Sequence, residues 1–229
     1  MKLAVCWPWD SPFVFSDFVD ATLDMVHPPG YEVKYIRGTG WASCRRHVDL
    51  CEKALDWGAD LICIIGADQV HPPDMLLKLT KRFEEGCDVI TALVPFRGYV
   101  DWQGMKPFQL LGWRLKCEGV REYVDTEACK DMLQPINPGD GDLQRVQFIG
   151  SGVLMFQREH LMSIQKPWFF HFLDPESMRR TSDMDSHFVW RLQAEAGAKV
   201  WVDTTIKVKH LHIFQIDDTY SSRFSDGVF

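Results

Sequence analysis

An aspartate beyond the most apolar run of the sequence is the first candidate for chemistry. Residues 61–65 read Leu-Ile-Cys-Ile-Ile, and Asp68 follows after Gly66 and Ala67. A carboxylate just beyond the end of a buried strand can hold a divalent ion. Mg²⁺ or Mn²⁺ that bridges a diphosphate needs few protein ligands, because the phosphates supply the other oxygens. The alternative is that Asp68 only begins a turn before Pro72.

A second acidic pair lies at the start of a predicted helix. The apolar spacing predicts this helix over residues 183–196, with Asp183 and Asp185 in its first turn and Gly197 as its cap. The helix dipole favours a charged carboxylate at this end, and a general base must remain ionised. Asp185 is therefore a candidate base and Asp183 its alternative. Both could instead be plain capping acids.

Two further segments have residue types that suit an anionic ligand. Arg45 and Arg46 lie at the start of another predicted helix, and a guanidinium can bind phosphate through two hydrogen bonds. The segment Gly150-Ser151-Gly152 lies between two predicted strands, and glycine there permits a close backbone approach. The alternatives are an exposed arginine pair and a simple β-bulge.

The elements that must position these residues alternate in the first half of the chain. Strands are predicted at residues 3–7, 31–36, 61–65 and 88–94, with helices between them. This βαβαβαβ pattern predicts an α/β fold, a mostly parallel sheet with helices on both faces. Ligands of such sheets bind beyond the carboxyl ends of the strands. We therefore expect the segments after Trp7, Ile36, Ile65 and Val94 to form the site.

Individual elements are predicted as follows. Ser16 is expected to cap the first helix, which Pro28 and Pro29 end; its inner face should carry Phe18, Val19, Thr22, Leu23, Met25 and Val26. Further helices are predicted over residues 42–57 and after Pro72-Pro73. In the second half, strands are predicted at residues 109–115, 120–124, 146–149, 153–157 and 199–202, with an exposed loop at 137–142.

Composition narrows the class of protein. The chain has 229 residues and a formal net charge of −7, which argues against a nucleic-acid partner. Seven cysteines without a CxxC pair indicate a reducing compartment, so we expect a cytoplasmic protein. No run reaches transmembrane length. One domain with two lobes is expected.

The order and spacing of these segments resemble family 2 glycosyltransferases of the GT-A fold, over roughly residues 3–212. In that family a buried strand ends in Asp-x-Asp, followed by a proline before a helix. Here the stretch reads Gly66-Ala67-Asp68, so Asp68 matches the second acid and Gly66 replaces the first. His71 could compensate as a nitrogen ligand or cap the turn. The resemblance implies a GT-A (Rossmann-like) fold with a smaller acceptor-side lobe. It also implies a nucleotide-binding half (1–94), an acceptor and catalytic half (95–212) and a tail (213–229).

The resemblance also implies roles for single residues. Asp185 matches the catalytic base of inverting members, with Asp183 as the alternative, and His210 matches a histidine that binds the metal. His212 lies two residues on and would point the same way in an extended segment. The remaining implied contacts are with the donor: the nucleotide base or ribose for Trp7, Trp9 and Asp10, the phosphates for Arg45 and Arg46, and the sugar for Gly150, Ser151 and Gly152.

The implied function is transfer of a sugar from a nucleoside-diphosphate sugar to a glycan or other hydroxyl acceptor, with Mn²⁺ or Mg²⁺ as cofactor. A nucleotidyltransferase is the alternative enzyme, although Trp7-Pro8-Trp9 occupies the place of its glycine-rich loop. A catalytically inactive nucleotide-sugar-binding module is the alternative from another class, and Gly66 favours it. A dinucleotide oxidoreductase is disfavoured because no GxGxxG follows a strand.

Overall fold

The computed structural model describes residues 1–95, 113–115, 133–171, 176 and 183–211. The predicted strand at 120–124, most of that at 109–115, and His212 with the rest of the tail lie outside the described residues. Of the predicted acceptor and catalytic half, residues 96–112, 116–132, 172–175 and 177–182 also lie outside them. None of the described helices is long and apolar enough to cross a bilayer.

The described elements alternate between strand and helix through the first half of the chain. The helices are α1 (Ser16–Leu23), α2 (Ser43–Trp57), α3 (Met75–Glu84), α4 (Arg158–Met162) and α5 (Met184–Ala194). The strands are β1 (Lys2–Pro8), β2 (Glu32–Gly38), β3 (Leu61–Ile65), β4 (Gln69–Val70), β5 (Val89–Leu93), β6 (Trp113–Leu115), β7 (Leu133–Pro135), β8 (Leu143–Arg145), β9 (Val153–Gln157), β10 (Val200–Lys207) and β11 (Lys209–His210).

A seven-stranded sheet in the order β2-β1-β3-β9-β5-β10-β8 forms the centre of the molecule. β2, β1 and β3 are parallel to one another, as are β5 and β10. β9 is antiparallel to both of its neighbours, so β3 and β5 run in the same direction. The sheet is therefore mostly parallel, with β9 and β8 reversed.

Helices cover both faces of this sheet. On one face the core contains residues of α2, α4 and α5, including Leu50, Leu161 and Phe188. On the other it contains residues of α1 and α3, including Phe18 and Leu76. β3 and β5 are buried at every residue, which is why they read as unbroken apolar runs in the sequence. The predicted α/β class, a mostly parallel sheet flanked by helices, is confirmed.

Three local predictions were wrong: the N-cap of the first helix, the inner face of that helix, and the strand expected at 146–149. α1 begins at Ser16 with Phe15 as its N-cap and ends at Leu23, and it buries Phe18 and Ala21. Leu23 is 78% exposed, and Val19 and Val26 are also exposed, because the short helix turns only one narrow stripe to the sheet. The strand expected at 146–149 lies earlier, at Leu143–Arg145, where it pairs with β10.

Candidate functional site

A two-stranded ribbon brings together the ends of two distant segments. β4 pairs antiparallel with β11, with His210 opposite Gln69. The ribbon continues at Leu211, whose N–H donates to the Asp68 carbonyl oxygen at 2.8 Å. Since β4 follows β3 and β11 follows β10, the pairing places Asp68 and His210 at the carboxyl edge of the sheet. This is the edge at which ligands of such sheets bind.

The side chains of Asp68 and His210 face each other. His210 Nε2 lies 3.4 Å from Asp68 Oδ2, and both side chains are half-buried. His210 Nδ1 lies 2.9 Å from the Pro95 carbonyl oxygen, which can only accept, so Nδ1 carries the proton of that hydrogen bond. In the neutral imidazole Nε2 then presents its lone pair to the carboxylate. His210 Nε2 and Asp68 Oδ2 both present lone pairs, so a cation bound by both atoms, or a second proton on the His210 ring, would hold them at this distance.

The pair fits a small divalent cation. Oxygen and nitrogen ligands lie about 2.1 Å from Mg²⁺ or Mn²⁺, so one ion can contact two atoms that are 3.4 Å apart. The Nδ1 hydrogen bond to a backbone carbonyl is the usual support of a metal-binding histidine. Among the described residues no cluster of three or more His, Cys, Asp or Glu could hold a metal. The remaining ligands would be phosphate oxygens and water.

The Gln69 side chain fills the space beside Gly66. A Cβ on Gly66 would lie 2.7 Å from both Cδ and Nε2 of Gln69, and a Cβ on Gly152 would also contact Nε2. The Gln69 side chain is only 2% exposed, so the amide fills the space between these two glycines. The Gly66 N–H donates to the Gly152 carbonyl oxygen at 2.7 Å. The two glycines therefore hold the end of β3 against the start of β9.

His71 is a buried neighbour of this amide. Its Nε2 lies 3.3 Å from Gln69 Oε1, and its ring meets the edge of Phe18. Burial lowers the pKa of His71 to about 4, even though the Asp68 carboxylate opposes the shift. The histidine is therefore neutral at pH 7. It packs below the ribbon and supports Gln69.

Ser151 binds the candidate base. The N–H of Ser151 donates to Asp185 Oδ2 at 3.0 Å, and its hydroxyl donates to the same oxygen at 3.2 Å. Asp185 is half-buried in the first turn of α5, whereas Asp183 is its exposed N-cap residue. The structure thus brings Asp185 against the Gly150-Ser151-Gly152 segment. Through the bond between Gly152 and Gly66, this segment is continuous with the Asp68 loop.

Three of the residues predicted to contact the donor lie around the loop after β2. The Gly40 N–H donates to Asp10 Oδ2 at 3.3 Å, and its carbonyl accepts from Arg46 Nη1 at 3.1 Å. Arg45 is exposed, and its side chain packs where a Cβ on Gly40 would lie. Gly40 has a φ of +143°, a backbone conformation that favours glycine. Asp10, Arg45 and Arg46 therefore shape one loop at the edge of the sheet.

The two tryptophans have different surroundings. The Trp7 ring packs against Phe18 and Tyr35, with ring centroids 6.0 and 6.1 Å apart, which matches the alternative of a packing role. Trp9 Nε1 donates to the Phe13 carbonyl oxygen at 2.7 Å, which fixes the loop that leads to α1. Both rings line a cavity of about 340 Å³ together with Arg37.

Sequence reasoning missed two polar residues of the site. Gln69 is buried between the glycines, and His47 is 3% exposed with Nε2 3.3 Å from the Ser151 hydroxyl. The glycines at 66 and 152 were a usable signal for Gln69, because each leaves room for a neighbour. His47 belongs to the segment with Arg45 and Arg46, and nothing in its spacing distinguishes it from an ordinary helix residue.

No protein-family model and no curated protein matches the chain. Among solved structures, A197 from STIV matches with a TM-score of 0.56 at 15% identity, covering 93% of this chain and 86% of that one. This similarity shows the fold alone. S. aureus TarS 1–349 in complex with UDP-GlcNAc matches with a TM-score of 0.48 at 11% identity, covering 94% of this chain and 60% of that one. Apo-UDP-glucose pyrophosphorylase matches with 0.40 at 9% identity, covering 78% and 57%. At these two TM-scores the matches carry no argument about the chemistry.

Proposed function

We propose that the chain is a metal-dependent glycosyltransferase that moves a sugar from a nucleoside-diphosphate sugar to a hydroxyl acceptor, with inversion at the anomeric carbon. The observation that carries the proposal is the approach of Asp68 and His210 to 3.4 Å at the carboxyl edge of the sheet. Their segments are far apart in the sequence, and the two-stranded ribbon of β4 and β11 brings them together. The Nδ1 hydrogen bond of His210 leaves Nε2 directed at the carboxylate.

In this proposal Asp68 and His210 hold Mn²⁺ or Mg²⁺ together with the donor phosphates. The ion, when bound, supplies positive charge that neutralises the leaving diphosphate. Asp10, Arg45 and Arg46 border the nucleotide side of the site, where an arginine can bind phosphate through its planar guanidinium. Trp9 also borders this loop, since its backbone N–H donates to the Gly38 carbonyl oxygen at 3.1 Å.

Asp185 is the proposed base. It removes the proton from the acceptor hydroxyl, which then attacks the anomeric carbon from the side opposite the diphosphate. The two hydrogen bonds from Ser151 hold one carboxylate oxygen, so the other is available to face the acceptor. The position in the first turn of α5 favours the ionised form that a base requires. Asp183 is exposed one residue before the helix and is the alternative base.

A donor screen tests the proposal. The protein is mixed with nucleoside-diphosphate sugars with and without Mn²⁺, its melting temperature is measured, and products are separated after incubation with simple hydroxyl acceptors. We expect one donor to raise the melting temperature in a Mn²⁺-dependent manner and to release its nucleoside diphosphate. Asp185→Asn should keep the shift in melting temperature and lose the release.

Each other outcome identifies a different function. Formation of a nucleoside triphosphate from donor and pyrophosphate would replace the proposal with a nucleotidyltransferase. Binding without turnover by the unsubstituted protein would replace it with an inactive nucleotide-sugar-binding module. If no donor changes the melting temperature with Mn²⁺, the proposed nucleotide-sugar site is wrong.

A further inference from the structure

A buried histidine, a serine and the proposed base form a continuous row of contacts. His47 Nδ1 lies 2.8 Å from the Ser43 carbonyl oxygen, and His47 Nε2 lies 3.3 Å from Ser151 Oγ. On its other side Ser151 Oγ lies 3.2 Å from Asp185 Oδ2. The row therefore runs from the first turn of α2, through the loop before β9, to the first turn of α5. His47 and Ser151 are both buried, and Asp185 is at the edge of the site.

His47 and Asp185 compete for the single proton of the Ser151 hydroxyl. The Ser43 carbonyl oxygen only accepts, so in the neutral ring the proton is on Nδ1 and Nε2 accepts. The Ser151 hydroxyl has one proton, and both Nε2 of His47 and Oδ2 of Asp185 can accept it. A neutral His47 therefore competes with Asp185 for the hydroxyl proton and weakens the hydrogen bond from the hydroxyl to Asp185. The carboxylate then keeps only the backbone N–H of Ser151 in full.

The surroundings keep His47 neutral near pH 7. Burial lowers the pKa of His47 and outweighs the opposing Ser43 carbonyl, while Asp185 raises the pKa and Arg46 lowers it. The Phe169 ring packs against the imidazole, with ring centroids 4.9 Å apart. These are the charged and packed groups that face the ring in the described part of the chain. Near pH 7, His47 therefore competes with Asp185 for the hydroxyl proton.

We propose that His47 is a positioning residue that sets, through the Ser151 hydroxyl, how strongly Asp185 holds a proton. Its meaning for catalysis rests on the proposed function, in which Asp185 is the base. A carboxylate that loses part of a hydrogen bond becomes a better proton acceptor. Competition by His47 therefore makes Asp185 a stronger base, while the backbone N–H of Ser151 still holds it in place.

The test is an NMR titration of the Asp185 carboxyl carbon in the protein without donor, metal or acceptor. In Ser151→Ala the hydroxyl is lost, and the midpoint of the titration should rise by about half a pH unit. In His47→Phe the hydroxyl belongs to Asp185 alone, and the midpoint should fall by a similar amount. In the double variant the midpoint should equal that of Ser151→Ala, because His47 acts only through the hydroxyl.

The proposal is wrong if His47→Phe shifts the Asp185 midpoint equally in the unsubstituted protein and in Ser151→Ala. It is also wrong if His47→Phe leaves the midpoint of the unsubstituted protein unchanged. If His47→Phe does not fold, the ring nitrogen shifts of unsubstituted His47 decide: we expect the proton on Nδ1, and a proton on Nε2 alone would refute the competition. None of these readouts needs a donor, so they stand or fall separately from the glycosyltransferase assignment. Where transfer is measurable, the acidic limb of the rate profile should move in the same direction as each midpoint.

Discussion

The backbone N–H of Gly66 donates to the carbonyl oxygen of Gly152 at 2.7 Å, so the loop that carries Asp68 and the loop that carries Ser151 are one connected surface. β3 and β9 are antiparallel neighbours, and this bond extends their ladder past the last residue of β3. The proposed metal residue and the residue that holds the proposed base are therefore placed by the same pair of strands. A change at this junction should affect both.

Introducing an acid at Gly66 should destabilise the protein without improving metal binding. A Cβ at this position would lie 2.7 Å from the buried Gln69 amide, so the side chain must displace Gln69. We expect Gly66→Asp to lower the free energy of unfolding by about 1–3 kcal/mol, the usual cost of overpacking, as measured by urea denaturation. The affinity for Mn²⁺, measured by calorimetry, should not rise.

Two variants make this prediction specific. Gly139 lies in an exposed turn, where a Cβ would be 3.5 Å from its nearest neighbour, so Gly139→Asp should leave stability nearly unchanged. Adding Gln69→Ala to Gly66→Asp should recover part of the lost stability by emptying the space. An equal loss of stability in both glycine variants, or tighter Mn²⁺ binding by Gly66→Asp, would show that Gln69 does not disfavour an acid at position 66.

Removing either member of the proposed metal pair should weaken metal binding in the presence of a nucleoside diphosphate. Asp68→Asn removes a negative ligand, and His210→Phe removes a nitrogen that lies 3.4 Å from Oδ2. We expect each variant to bind Mn²⁺ at least about tenfold more weakly, equivalent to about 1.4 kcal/mol. Calorimetry with and without the nucleotide measures this. Asp74→Asn, an exposed acid beside α3, is the control, and an equal effect of all three would contradict the site.

The sequence predicted best those parts of the fold that depend on continuous burial. β3 and β9 have the predicted bounds, because both are apolar runs ended by glycine or polar residues. The reversed direction of β9 was not predicted, since a strand buried on both faces reads the same in either direction. The inner face of α1 was wrong because apolar residues at Val19 and Leu23 resemble a buried stripe in the sequence yet remain exposed.

For the candidate site the sequence indicated charged residues, two tryptophans and the Gly150-Ser151-Gly152 segment, but not the buried polar side chains. Asp68 and Asp185 follow or begin predicted elements, and the resemblance supplied His210. Gln69 and His47 were missed because a buried polar residue is recognised by its partners, and their partners Gly152 and Ser151 lie in the loop before β9, far away in the sequence. Local spacing contains no information about such partners. Hydrogen-bond partners of this kind become visible only when the strands are assembled.

An ion pair between α3 and β10, in which the carboxylate is buried, should contribute strongly to stability. Arg82 Nε donates to Asp203 Oδ2 at 2.8 Å, and Asp203 is 1% exposed. Arg82→Met leaves this carboxylate buried without its cation, and we expect a loss of about 2–4 kcal/mol in urea denaturation. The double change with Asp203→Asn should recover part of the loss, because the buried charge is gone.

An exposed pair provides the comparison for Arg82. Lys78 lies 2.8 Å from Asp74, and both side chains are more than a third exposed. Lys78→Met should change stability by less than about 0.5 kcal/mol, because an exposed ion pair is screened by water. Similar losses for Lys78→Met and Arg82→Met would show that burial of Asp203 does not determine the cost.

Acid should destabilise the fold through His187. Burial, reinforced by the positive charge of Arg191 and opposed by Glu195, lowers the pKa of His187 to about 4, against 6.5 as its ordinary value. The unfolded chain therefore binds a proton at this residue between pH 6.5 and 4, whereas the folded chain does not. The stability from the neutral ring is complete above about pH 6.5 and is lost as the pH falls toward 4, by about 1–3 kcal/mol.

In urea denaturation, His187→Gln should lose less stability across this window than the unsubstituted protein. His27→Gln, at an exposed histidine, is the matched control. Identical pH dependence in His187→Gln and the unsubstituted protein would mean that the buried ring does not couple folding to pH.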